Sequence, residues 1–216
     1  MDVFVIPLWA DLLAVGVGGV QGALFASELR EERRFDLLGV GVMGVVLGFG
    51  GGIIRDLLLN ELPASLQSNW YLIVAVVAAL GGMALSGVLR SVEKLIIGLD
   101  AVVIGMFGVF GTTKALRVGV PVVPAVFVGV ASAVGGGILR DVLVDTSPTI
   151  LYVGSLYAVA AAGGCAVAAV GTELGVSVGG AAVAGIVVTA VLRLTSVTFG
   201  LSIPEQRDIR LPKRRR

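Results

Sequence analysis

The sequence predicts an all-α polytopic membrane protein of seven transmembrane helices, arranged as two inverted three-helix repeats plus a seventh helix. Three observations carry this. Hydrophobic residues make up 56% of the 216 and charged residues only 14%, with a mean hydropathy of +1.00. A soluble domain of this size coats itself with about a quarter charged residues, so here lipid must serve as the coat. Seven apolar runs are each long enough to cross a hydrocarbon layer of about 30 Å. A heptapeptide, Gly50-Gly51-Gly52-Ile53-Ile54-Arg55-Asp56, returns as Gly135-Gly136-Gly137-Ile138-Leu139-Arg140-Asp141, 85 positions later.

The runs lie near residues 8 to 27, 37 to 59, 70 to 90, 95 to 116, 121 to 144, 150 to 170 and 174 to 196. Repeat one thus covers about 8–90 and repeat two about 95–170, and the seventh helix completes a single transmembrane domain, 1–196. Residues 197–216 form a basic tail ending in Lys213-Arg214-Arg215-Arg216. The first run has no basic segment before it, carries Asp11 and is followed by Glu28-Leu29-Arg30 rather than a small-residue cleavage site, so it reads as a retained helix. The connectors are short and charged, as in Glu31-Glu32-Arg33-Arg34-Phe35-Asp36, and leave no room for a soluble domain between the spans.

Loops rich in lysine and arginine stay in the cytoplasm. With the N-terminus outside, only Arg55, Lys114 and Arg117 of the 16 basic residues face outward, and the other basic residues, including those of the tail, face inward. The expectation is N-out and C-in in a cell membrane. The tail reads as a cytoplasmic retention signal, with binding to anionic lipid headgroups as the alternative.

The repeat extends beyond the heptapeptide. Gly44 answers Gly129 and Pro63 answers Pro148 at the same offset. Asp11 followed by Gly16, Gly19 and Gly22 is mirrored by Asp100 followed by Gly105, Gly108 and Gly111, and Gly81-Gly82 and Gly163-Gly164 mark the third helix of each unit. A unit of three helices sends its copy into the bilayer from the opposite side, which makes the pair an inverted repeat about an axis in the membrane plane.

Three consecutive glycines weaken a helix by about 1 kcal/mol each relative to alanine, so the triplets Gly50, Gly51, Gly52 and Gly135, Gly136, Gly137 are places to kink or unwind. Freed carbonyls are tolerated at that depth only beside protein or a water-filled cavity, where an ion path needs them. Close helix packing is the competing reading, since Gly44, Gly48 and Gly52, echoed by Gly129, Ala133 and Gly137, form small-residue ladders.

Ionisable groups within spans face a protein interior or water. Arg55, Asp56, Arg140 and Asp141 follow the triplets by one turn and pair with each other or across the repeats. Asp11 and Asp100 start the first and fourth spans, where the helix dipole also favours a carboxylate. Lys114 breaks the symmetry, because Phe25 holds its place in the first unit; it is either an interfacial anchor or a charge controlling a path. These seven charges and six glycines are the candidate site residues.

Several chemistries are excluded. With no histidine and one cysteine, Cys165, the chain has no histidine–cysteine zinc site, no intramolecular disulfide and no nucleophile–histidine couple. Gly39-Val40-Gly41-Val42-Met43-Gly44 matches a dinucleotide fingerprint in letters only, since it lies in a membrane-length run after a charged loop. We therefore expect no enzyme, no cofactor, no metal beyond transient monovalent cations, and no nucleic-acid partner.

The duplicated triplet motif, the helix Asp100-Ala101-Val102-Val103-Ile104-Gly105 leading to Gly111-Thr112-Thr113-Lys114-Ala115-Leu116, and the three-plus-three-plus-one layout resemble the trimeric intracellular cation channels. The resemblance runs from about residue 8 to 196 and points to the prokaryotic branch, because Ile53-Ile54-Arg55-Asp56 stands where animal members carry Lys-Glu-Val. It implies a homotrimer in lipid, each protomer with its own potassium-permeable pore, possible sodium passage, bends at both glycine triplets, and a gating role for Lys114. From the residues alone, three classes remain: a channel, an alternating-access carrier for a small solute or ion, and a non-conducting scaffold. A scarcity of polar side chains in the spans counts against the carrier, and the symmetric glycine triplets count against the scaffold.

Overall fold

The computed structural model describes residues 6–28, 35–89, 93–146 and 156–202. The Glu31 to Arg34 connector, Pro148 and the basic tail beyond residue 202 lie outside the described residues. The helices are α1 (Leu8–Glu28), α2 (Leu37–Leu58), the short α3 (Ala64–Gln67), α4 (Asn69–Leu89), α5 (Glu93–Arg117), α6 (Val122–Leu143), α7 (Tyr157–Glu173) and α8 (Val178–Phe199). The single turn α3 is a feature the hydropathy pattern did not predict; it lies between Pro63 and Ser68 in the connector after α2. The seventh predicted span, near 174–196, is α8, which begins four residues later than expected, at Val178. The Ser177 hydroxyl caps its start by accepting from the Gly180 N–H at 3.3 Å, and Gly200 ends it in the left-handed region at φ 61°.

Among the described residues, five helices are apolar and long enough to cross a membrane: Leu8–Ser27, Leu37–Leu58, Ile97–Arg117, Val122–Leu143 and Val178–Phe199. A 22-residue helix such as the last rises about 33 Å. Asn69–Ala84 and Tyr157–Glu173 are shorter apolar helices. The chain is inside-out relative to a soluble protein. Alanines such as Ala14, Ala75, Ala101 and Ala161 are fully buried, while Trp9, Leu38, Val123 and Leu174 stand exposed. Small side chains let the helix backbones approach each other, and lipid takes the large ones.

The helices assemble in two groups of three. α1, α2 and α4 pack on one another, as do α5, α6 and α7; α2 meets α6 and α1 meets α5 between the groups, and α8 lies against α5 and α7. Corresponding local details recur. α2 and α6 end in the same turn, with Asn60 and Asp145 at φ 54° and 55°. The Glu61 and Thr146 N–H groups donate to the carbonyls of Asp56 and Asp141 at 2.8 and 2.9 Å. A methyl at Gly22 would meet the Gly44 backbone, and one at Gly111 the Gly129 Cα at 3.0 Å. The glycine spacing in the first helix of each unit therefore marks close crossings.

Candidate functional site

At one end of the bundle, where α1 and α4 begin and α2 and α5 end, Arg55 and Asp56 are almost fully buried. Their side chains are adjacent along α2, and Arg55 Nε donates to Asp56 Oδ1 at 2.6 Å while Nη2 donates to Oδ2 at 3.1 Å. Lys114 reaches across from α5 and donates to Asp56 Oδ1 at 2.7 Å, with Glu61 Oε2 at 2.6 Å on its other side. Asp11 lies 3.9 Å from Arg55 and accepts from the Tyr71 hydroxyl at 2.7 Å. The Ala64 N–H donates to Asp56 Oδ2 at 2.8 Å, which ties the short α3 to the cluster. Buried charges persist only when paired and hydrogen-bonded, and here each carboxylate of α1 and α2 has at least two donors or cations around it.

The opposite end repeats the plan with different fillings. There α5 and α7 begin and α1, α6 and α8 end. Arg140 Nη2 and Asp141 Oδ1 pair at 2.7 Å. Asp100 accepts from Gln21 Nε2 at 3.3 Å and faces Arg193 Nη2 of α8 at 3.5 Å. Arg193 lies over the Tyr157 ring at 4.8 Å, and Arg140 over the Phe25 ring at 4.3 Å. Lys114 and Phe25, matched in sequence, thus occupy matched positions: one holds Asp56, the other stacks on Arg140.

The two glycine triplets meet midway. A methyl on Gly50 would lie 2.9 Å from the Gly136 Cα, one on Gly136 3.2 Å from the Leu47 carbonyl oxygen, and one on Gly51 would overlap the Ser132 carbonyl oxygen. A methyl on Gly135 would overlap Ile54 Cδ1. These four glycines permit the α2–α6 crossing. Gly52 and Gly137 differ, since their nearest neighbours are the Arg55 guanidinium at 3.9 Å and the Tyr157 hydroxyl at 3.7 Å. Neither triplet interrupts its helix; α2 and α6 are continuous through them, so no run of carbonyls is released by unwinding.

Four voids run from one end to the other. A cavity of about 320 Å3 is lined by Glu61, Lys114, Arg117, Asp11, Arg55 and Tyr71 among others. It shares Asp11, Arg55 and Tyr71 with a narrow void of about 10 Å3 that reaches Gly52 and Phe107. Phe107 also borders the next void, about 20 Å3, with Gly51, Ser132, Gly136 and Gly137. That void shares Asp100, Gly137, Arg140 and Tyr157 with a cavity of about 230 Å3 at the far end, where Gln21, Phe25 and Arg193 complete the wall. Ser65 and Ser132, each lining one of the narrow voids, have buried hydroxyl oxygens with no protein hydrogen-bond partner among the described residues.

All seven charges singled out from sequence fall in the two end clusters; of the six glycines, Gly50, Gly51, Gly135 and Gly136 lie at the crossing between them, while Gly52 and Gly137 border the voids. Sequence reasoning missed Tyr71, Tyr157, Gln21, Glu61, Phe107, Ser132 and the placement of Arg193. The tyrosines were findable: they follow Asp56 and Asp141 by 15 and 16 residues, so one inserted residue in the repeat alignment pairs them. The others carry no local signal, because their neighbours come from distant helices. The scarcity of polar groups argued against a carrier is also corrected, since Gln21, Tyr157 and Arg193 converge with Asp100 and Arg140 on one cavity.

Comparison with known proteins agrees with this architecture. The family model described as Glycine transporter matches residues 8–88 and 97–173, segments that coincide with the two three-helix groups. The UPF0126 inner membrane protein YadS of Escherichia coli K12 is 35% identical over 199 residues, covering 91% of this chain and 94% of that protein. A solved TRIC cation channel superposes with a TM-score of 0.83 at 30% identity, covering 94% of this chain and 98% of that one. The TRIC trimeric intracellular cation channel orthologue of Rhodobacter sphaeroides gives 0.81 at 33% identity, covering 90% and 98%. These neighbours are channels rather than enzymes. With matches spanning both helix groups and the connection between them, the chain is a multi-pass membrane protein belonging to the prokaryotic branch of the trimeric intracellular cation channel family, to which the Glycine transporter model and the UPF0126 proteins also correspond.

Proposed function

We propose that this protein is a potassium-permeable cation channel with one pore in each protomer of a homotrimer. The observation that carries the reading is the file of four voids with shared walls, which links two charged ends through a constriction at Phe107, Gly51 and Gly136. A narrow passage bordered by the Ser65 and Ser132 hydroxyls and by the Asp11, Asp56 and Asp100 carboxylates suits a cation that sheds water and takes oxygen ligands in exchange. The orphan hydroxyls of Ser65 and Ser132 support it, because buried polar groups normally find partners and water in a path would supply them. The carboxylates Asp11, Asp56, Asp100 and Asp141 flank the passage, held by Arg55, Lys114, Arg193 and Arg140. In the narrow state these pairs close the route, and Lys114 is the charge best placed to release it at its end.

Seven spans form two inverted three-helix repeats and a seventh helix, N-out and C-in. The glycine triplets let α2 and α6 approach around the path, with Gly52 and Gly137 leaving it room. The trimeric assembly named for the Rhodobacter sphaeroides neighbour is extended here to this chain. Recording of the purified protein in planar bilayers, with potassium and sodium chloride on opposite sides, tests the reading. Discrete openings with a cation-selective reversal potential are expected, and silent bilayers containing intact protein would reject it.

A second reading has its own support. The matching family model is described as Glycine transporter, and the 230 Å3 cavity presents Arg140 and Arg193 beside Asp100 and Asp141, charges complementary to a zwitterion. Inverted repeats also serve alternating access. Saturable uptake of labelled glycine into proteoliposomes without unitary currents would favour this carrier.

A further inference from the structure

α8 is the helix without a counterpart in the repeat, yet it sends one arginine into the cavity at the α8 C-terminal end. Arg193 is largely withdrawn from solvent, with 13% of its side chain exposed, and it contacts two residues that border both that cavity and the narrow void beyond. Its Nη2 lies 3.5 Å from Asp100 Oδ2 and its guanidinium 4.8 Å from the Tyr157 ring centre. It therefore stands where the wide cavity narrows. Gln21 of α1 holds the other oxygen of Asp100 at 3.3 Å, so the Asp100 carboxylate bridges α1 and α8 across the mouth.

The register of α8 is set one turn further on. Ser196 is fully buried, and its hydroxyl accepts from the Leu156 N–H at 2.8 Å, next to Tyr157, while donating to the Leu201 carbonyl at 3.2 Å. Leu156 N–H is an orphan donor at the start of α7, and no side chain of its own turn caps it. One hydroxyl thus pins the end of α8 to the beginning of α7 and puts Arg193 over the neighbouring ring.

From this geometry we propose that Arg193 is the gate of the path at the α8 C-terminal end, and that Ser196 is the positioning residue that registers it. The proposal rests on the channel reading. Opening moves α8 so that the guanidinium leaves Asp100 and Tyr157, which exposes the narrow void to the cavity. The gate lies at the end opposite Lys114, so the two act separately.

The test uses full-length protein in planar bilayers. Arg193→Gln should raise open probability roughly tenfold, the population change that about 1.4 kcal/mol produces. Arg193→Lys, which keeps a cation near Asp100, should stay close to wild type, and Ser196→Ala should shift openings in the same direction by less, with Ser196→Thr restoring them. Side-specific access separates gating from loosened packing. In a Cys165→Ala background, Ser132→Cys lines the narrow void and not the cavity. A charged thiosulfonate should modify it about ten times faster in Arg193→Gln from one side of the bilayer, at the unchanged rate from the other. If Arg193→Gln does not fold, Asp100→Asn breaks the same contact and must give the same one-sided increase. Unaltered or reduced open probability, or acceleration from both sides, overturns the gate. Wild-type protein that never opens would instead reject the channel reading beneath it.

Discussion

Alanine at Gly51 and at Gly52 should have opposite effects on stability, although the two glycines are adjacent on one helix. In either place the methyl recovers about 1 kcal/mol of helix propensity. At Gly51 it would overlap the Ser132 carbonyl oxygen, a backbone atom of α6 that cannot swing aside as a side chain can. Overpacking of that kind costs about 1–3 kcal/mol, and the upper end applies where the obstacle is backbone, so a net loss of about 2 kcal/mol is expected. At Gly52 the nearest atom is the Arg55 guanidinium at 3.9 Å, an ordinary contact, and the propensity gain survives. For a chain of this length each kcal/mol moves the melting temperature by about 2–4 °C. Gly51→Ala should therefore melt about 4–8 °C below wild type in detergent and Gly52→Ala at or slightly above it. Single-channel current should show the reverse order, because the Gly52 methyl enters the narrow void beside Asp11, Arg55 and Asp56 and reduces current through a protein that is fully folded. Gly136→Ala and Gly137→Ala should repeat the contrast more weakly, as the Gly136 methyl would lie 3.2 Å from the Leu47 oxygen. Equal melting temperatures for Gly51→Ala and wild type, or unchanged current in Gly52→Ala, would refute the division between crossing and path.

Lys114→Ala leaves Asp56 and Glu61 without their cation and should change open probability and its voltage dependence; a charge crossing the whole field contributes about 2.3 kcal/mol per 100 mV, so an unaltered voltage response would make Lys114 an anchor only. A reporter fused after Arg216 should be active in the cytoplasm alone, and activity on the outer side would overturn the N-out orientation. Mass measurement in detergent should give three copies per particle, whereas a conducting monomer would show that each pore needs no neighbours.

Composition and periodicity by themselves determined that this chain lives in lipid, because 56% hydrophobic residues with few charges admit no other solvent. The duplicated heptapeptide fixed which residues correspond, and local backbone chemistry follows sequence closely enough that Asn60 and Asp145 close identical turns 85 positions apart. The candidate charges were legible for the same reason: an ionisable side chain in an apolar span has few places to be, and all seven lie at the two end clusters. Partners were not legible. Lys114 sits on Asp56 because α5 crosses α2, and Arg193 reaches Asp100 because α8 packs against α5; each contact depends on rigid-body placement of helices that no local pattern encodes. The glycine triplets show the division most clearly. Their weakness as helix formers was readable, but whether each glycine yields to a neighbouring backbone or opens onto a void depends on which face meets the other helix. Propensity belongs to one residue and its turn, whereas close approach belongs to two helices at once, so only the tertiary structure separated Gly51 from Gly52.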